Sequence, residues 1–203
     1  MDDSRLIDRD SPVIAAVPIR RLTVAQYHAM IDAGILTEDD DLELLEGWLV
    51  EKMTKNPQHV TTAELIAEAW RAILPTGWFV RQQDPVTTTD SEPEPDVMIV
   101  RGAIRDYRDR HPAPQEIGLV VEVADSTLRT DRQWKARIYA RAGIPVYWIA
   151  DVNGLQIEVL SAPAGVAEAA SYTIRVVYDM GEAIPLVLEG QEIGRVSVDA
   201  VMA

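Results

Sequence analysis

Hydrophobic and polar positions alternate along this chain in two distinct periods. Residues Gly118 to Val123 form an almost unbroken apolar run (Gly-Leu-Val-Val-Glu-Val), and Val97-Met98-Ile99-Val100 forms another. Such short β-branched runs predict strands covered on both faces. Strand alternation would set Val121 and Val123 on one face, with Val120 and Glu122 on the other. Helical spacing appears in Val24 to Asp32, where Thr23 supplies an N-cap and Gly34 a stop. It recurs in His59 to Leu74, with Ala63, Ile66, Ala67, Trp70 and Leu74 on one stripe, between the Asn56-Pro57 break and the Pro75 to Gly77 stop. A third helix is predicted over Thr127 to Ala142, ended by Gly143 and Pro145.

Strands are expected at Trp48 to Met53, Trp78 to Gln83 and Val86 to Thr89, and at Tyr172 to Tyr178 and Ile184 to Leu188. Val146 to Ala150 and Leu155 to Leu160 read as a hairpin about Asp151-Val152-Asn153-Gly154. Residues 101–116 read as an irregular excursion, and Ser197 as the cap of a short last helix. Because helices and strands alternate irregularly, the expected fold is α/β (α+β), a mixed central sheet flanked by α-helices rather than a doubly wound one. Residues 1–18 show no period and are read as a flexible arm, leaving 19–203 as one domain.

Composition narrows the chemistry. The 203 residues are 47% hydrophobic and 26% charged, which suits a globular core. Cysteine is absent and histidine occurs three times, so thiolate sites are excluded and a multi-histidine zinc site is disfavoured. A metal would need oxygen ligands, which points to magnesium or manganese. No signal peptide or membrane-spanning apolar run is visible, and a cytoplasmic location is expected. The formal net charge of −14 argues against broad binding to nucleic acid. Residues 127–143 run against it, with Arg129, Arg132, Lys135, Arg137 and Arg141 opposed only by Asp131.

The candidate site lies at two strand ends. Asp96 opens one apolar strand and Glu122 nearly closes the other. Carboxylates there are costly unless a cation joins them. Lys135 shares a helical face with Asp131 and Tyr139. Asp96 and Glu122, with Glu46 as a third ligand, would hold magnesium or manganese. Lys135 would orient the attacking water or stabilise developing charge, and Arg129, Arg132 and Arg137 would contact flanking phosphates. The bland alternatives are a turn aspartate at 96, a solvated strand glutamate at 122, an Asp–Lys helix pair, and a histidine at 59 that merely begins its helix.

At these residues the chain resembles a known family. The segments Leu44-Leu45-Glu46-Gly47-Trp48-Leu49-Val50-Glu51, Ser91-Glu92-Pro93-Glu94-Pro95-Asp96, Val120-Val121-Glu122-Val123-Ala124-Asp125-Ser126, Asp131 to Lys135, and Tyr139 to Ile149 are similar to the Uma-type endonucleases. That bacterial group is placed in the PD-(D/E)XK restriction-endonuclease-like superfamily. The resemblance implies a restriction-endonuclease-like core, a magnesium site, DNA as partner and a homodimer, with the family pattern on Glu46, Asp96, Glu122 and Lys135. The superfamily's usual lysine two residues after the second acid is Ala124 here, and Lys135 on the following helix would supply the amine. The expected function is a metal-dependent DNA endonuclease. The alternatives are a catalytically inactive nucleic-acid-binding or protein-interaction module on the same fold, and a hydrolase of a small phosphodiester.

Overall fold

The computed structural model describes residues 20–202; the arm expected at 1–18 lies outside them. Helix α1 (Val24–Asp32) opens with a capping box: the Thr23 hydroxyl accepts from the Gln26 amide, and the Gln26 side chain accepts from the Thr23 amide. A tight hairpin follows, β1 (Leu42–Leu45) paired antiparallel with β2 (Trp48–Glu51). Its two-residue turn places Glu46 at φ 50° and Gly47 at φ 80°, the left-handed pair that a short hairpin needs. A Cβ on Gly47 would lie 2.5 Å from the Arg21 Cβ and 2.8 Å from the Leu22 carbonyl oxygen, so glycine is required twice over.

The centre is a six-stranded mixed sheet in the order β3-β4-β5-β6-β7-β8. Its strands are β3 (Trp78–Gln82), β4 (Val97–Arg101), β5 (Ile117–Ala124), β6 (Val146–Asp151), β7 (Gln156–Ala164) and β8 (Ser171–Asp179). Only β5 and β6 run parallel; the other neighbours are antiparallel. The parallel step needs a crossover, and a helical segment over residues 128–141, here α3, provides it. It is α-helical at Leu128–Thr130, π-helical at Asp131–Lys135 and α-helical again at Ala136–Arg141. The Ala136 amide donates to the Asp131 carbonyl, the wide turn that marks a π-bulge.

Two apolar layers enclose the sheet. Helix α2 (Pro57–Ile73) lays Ala63, Ile66, Ala67 and Trp70 against Val97, Ile99, Leu119, Val121 and Val123. The hairpin of β9 (Ala183–Leu188) and β10 (Gln191–Ser197) and the terminal turn α4 (Val198–Val201) complete that layer. On the opposite face Met98, Val100, Val120, Ala124, Tyr147 and Ile149 meet Ala136 and Tyr139 of α3. The alternation expected for β5 therefore holds, and Glu122 shares the α3 face.

Two expectations fail locally. Residues 86–89 form no strand; their backbone closes a small loop in which the Val86 amide donates to the Pro93 carbonyl and the Thr88 amide to the Ser91 carbonyl. Strand β10 was not anticipated, because a bulge between Glu192 and Gly194 breaks the two-residue period by which a strand is read. Among the described residues no helix is long and apolar enough to cross a membrane.

Candidate active site

The sheet register builds the site. Val97 faces Val121 across the antiparallel β4–β5 ladder, so one further step sets Asp96 beside Glu122. Asp96 precedes β4 and is 3% exposed. Its Oδ2 accepts the Val123 amide at 2.9 Å, and its Oδ1 lies 2.9 Å from His59 Nε2 and 3.2 Å from Lys55 Nζ. His59 reaches it from the first turn of α2, which Asn56 starts by accepting the His59 amide at 2.8 Å. Asn56 also donates to Asp125 at 2.7 Å, pinning the helix to the loop after β5. Glu122 is 4% exposed, and its Oε1 accepts the Tyr139 hydroxyl at 2.6 Å and lies 3.0 Å from Lys135 Nζ. Lys135 also stands 3.4 Å from Glu43 of β1. Asp131, four residues before Lys135, accepts the Thr127 hydroxyl at 2.6 Å.

Glu43, Lys55, His59, Asp96, Glu122, Asp131 and Lys135 line a cleft of about 170 Å³ under the β1–β2 hairpin and the segment that follows it. Its carboxylates are Glu43, Glu51, Glu94, Asp96, Glu122, Asp125 and Asp131; its lysines are Lys52, Lys55 and Lys135. Burial first, and that imbalance second, set the protonation of the buried acids. Burial pushes Glu122 well above the usual carboxylate range; Lys135 opposes the shift, while Asp96, Asp131 and Glu43 add to it. Burial likewise lifts Asp131 to about 6. For Asp96 burial also acts upward, but the His59 contact, the charges of His59 and Lys55 and the Val123 amide outweigh it and hold the group below its ordinary value. Burial would lower Lys135, yet Glu122, Glu43, Asp131 and Asp96 together raise it, so the ammonium stays charged. The two shifts differ in origin: burial dominates at Glu122, with neighbouring acids adding to it, whereas at Lys135 the surrounding carboxylates overcome burial.

Of the residues named from sequence, Asp96, Glu122 and Lys135 meet in this cleft. Glu46 does not line it. Its carboxylate accepts the Trp134 indole at 2.9 Å and Arg137 at 2.7 and 2.9 Å, and pairs with Arg141 at 3.2 Å. Glu43, three residues earlier, occupies the cleft instead. Arg132 and Arg175 both pair with Glu158 of β7, so Arg132 and Arg137 are committed to internal carboxylates rather than presented to a phosphate backbone. Arg129 is exposed. Glu43 and Lys55 carry no expectation from the sequence, and His59, which could face the site or merely begin its helix, faces the site. A buried glutamate in a leucine-rich strand and a histidine three residues after an N-cap were the available signals.

Among the described residues no three His, Asp or Glu side chains converge as a ready cage for a metal ion. The donor set is nonetheless all oxygen at the reacting end, and the cluster carries excess negative charge. Magnesium commonly keeps several waters and uses only one or two carboxylates together with substrate phosphates. Asp96 and Glu122 fit that requirement.

The Uma2 family model, described as "Putative restriction endonuclease", matches residues 24–197. The chain belongs to the Uma2 family. A crystal structure described as a "putative nuclease belonging to DUF820", from Anabaena variabilis ATCC 29413, is similar to it with a TM-score of 0.65 and 14% sequence identity, over 85% of this chain and 96% of that one. No curated protein matches the chain. The Uma2 assignment and the structural likeness agree with the observed sheet: the chain has a restriction-endonuclease-like α+β fold, a mixed central sheet with flanking helices.

Proposed function

We propose that this Uma2 protein is a metal-dependent DNA endonuclease that hydrolyses phosphodiester bonds at the cleft of Asp96, Glu122 and Lys135. One observation carries the reading: two buried carboxylates and a buried ammonium from three separate elements converge where negative charge exceeds positive, an arrangement that is costly without a cation to complete it. Asp96 and Glu122 would hold magnesium or manganese. When bound, such an ion lowers the pKa of a coordinated water and neutralises charge on the phosphate.

The chain's own groups do the rest. The Val123 amide and His59 hold Asp96 ionised and oriented. Tyr139 fixes one oxygen of Glu122. Lys135, charged and 3.0 Å from Glu122, orients the water and stabilises charge that develops on the phosphoryl oxygens. A homodimer and a cytoplasmic setting, implied by the family resemblance and the cysteine-free composition, belong to the same reading.

A second reading, a catalytically inactive binding module, is favoured by the −14 charge and by the internal pairing of Arg132 and Arg137. Plasmid nicking with magnesium or manganese separates the two. The nuclease reading expects nicking by the wild type and a loss of roughly 100-fold or more in Glu122→Gln and Asp96→Asn, with circular dichroism unchanged. Equal cleavage by wild type and variants would remove the cleft from the mechanism, and no cleavage by any of them would favour the inactive module.

A further inference from the structure

Asp96 Oδ1 has two nitrogen neighbours of different character, His59 Nε2 and Lys55 Nζ. His59 is buried on α2 and held by the helix start, so its place is set by the fold. Lys55 comes from the irregular segment between β2 and α2, and its side chain is 32% exposed while that of Asp96 is 5% exposed. Lys55 therefore covers a buried carboxylate from the solvent side, on a four-carbon stem that can turn away. It lies at the cleft mouth, where Lys52 is tied to Glu94 at 2.9 Å and Lys135 is engaged by Glu122 and Glu43. Lys52 and Lys55 are the cleft lysines with partly exposed side chains, 28% and 32%, and of the two Lys55 is the one that sits on Asp96.

We propose that Lys55 is an exchangeable counter-ion: it neutralises Asp96 in the free protein and, once it yields Asp96 to a divalent cation, pairs with a non-bridging oxygen of the substrate's phosphodiester backbone. The inference rests on the nuclease reading and extends it to how the cleft admits an anionic substrate. Lys55 competes with metal for Asp96, and the same residue favours substrate. Its removal should therefore move the two affinities in opposite directions. A merely structural lysine would weaken both or neither.

Manganese alone, titrated into the full chain by isothermal calorimetry, reads the first half. Lys55→Ala and Lys55→Gln are expected to bind manganese several-fold more tightly than wild type, and Lys55→Arg to stay close to it. Steady-state plasmid nicking at saturating manganese reads the second half. KM should rise several-fold in the alanine and glutamine variants, with kcat changed far less, and arginine should restore KM. Manganese affinity that is unchanged or weaker in both neutral variants overturns the inference while leaving the nuclease reading intact, provided Asp96→Asn abolishes binding. Absence of manganese binding to the wild type overturns both.

Discussion

Glu46 gathers an indole and two guanidiniums onto one carboxylate, at a hairpin turn whose left-handed backbone turns it toward α3. Burial acts to raise its pKa, but Arg137, Arg141 and Trp134 pull it below the ordinary value. Removing one partner of such a set leaves the others under-satisfied. Glu46→Gln is expected to cost about 2–3 kcal/mol in urea unfolding while manganese affinity stays at the wild-type value; a loss of affinity would restore Glu46 as a ligand. Asp131 carries the opposite charge logic. Its carboxyl titrates near 6 in the folded protein, above its ordinary value, because it is buried beside other acids. Folded protein thus holds a proton that unfolded chain has released, and stability contributed by that proton is present at low pH and lost as pH rises from about 4 to about 6. In metal-free protein, thermal melts should fall across that window, and Asp131→Asn should flatten the fall.

Element α3 does two jobs, crossing over between the parallel strands β5 and β6 and delivering Asp131 and Lys135 to the cleft, with Tyr139 behind it on Glu122. The π segment fits both ends at once. The Asp131 carbonyl accepts the Ala136 amide and, at 3.3 Å, the Tyr147 hydroxyl from β6, so a side chain of the sheet is bonded into the widened turn. A π-bulge behaves as one extra residue in an α-helix. Deleting Gln133, which is exposed, should return the segment to α-helical bonding and rotate Asp131 relative to Lys135 by about 100°. Helix content by circular dichroism should persist while nicking falls by roughly 100-fold. Unchanged nicking would show that the bulge has no part in aligning the site.

For the whole molecule, the relevant quantity is which cations remain for a partner. The net charge is −14, and Arg132, Arg137 and Arg141 are consumed by Glu158, Glu46 and Asp90. Lys52, Lys55 and Arg129 remain near the cleft or exposed on α3. With so few at the cleft, binding to duplex DNA there should be weak, and the plot of log K against log salt should have a slope of about −3 or shallower if contact is confined to it. Fluorescence anisotropy over a salt series measures this. A much steeper slope would point to contact with exposed arginines away from the cleft, such as Arg20, Arg21 and Arg105, or to a basic surface supplied by a second copy.

The elements whose interactions are local were legible from the residues themselves. The apolar stripe of α2, the capping at Thr23, the strand pair around Asp151 to Gly154 and the face on which Glu122 lies all follow from spacing along a short window. Asp96 and Glu122 could be singled out because charge at the edge of an apolar run is conspicuous, and Lys135 by its helical spacing from Asp131 and Tyr139 and by the family resemblance. What the window could not contain was the destination of each charge. Glu43 and Glu46 differ by three positions in one hairpin, and only the packing of that hairpin over β5 and α3 sent the first to Lys135 and the second to Arg137, 91 residues away. Arg132 found Glu158 across 26 residues, and His59 found Asp96 across 37. Periodicity is fixed by backbone geometry, which each segment carries with it. Ion pairing is fixed by which buried groups end up within a few ångströms of one another, and that is decided only when the layers close.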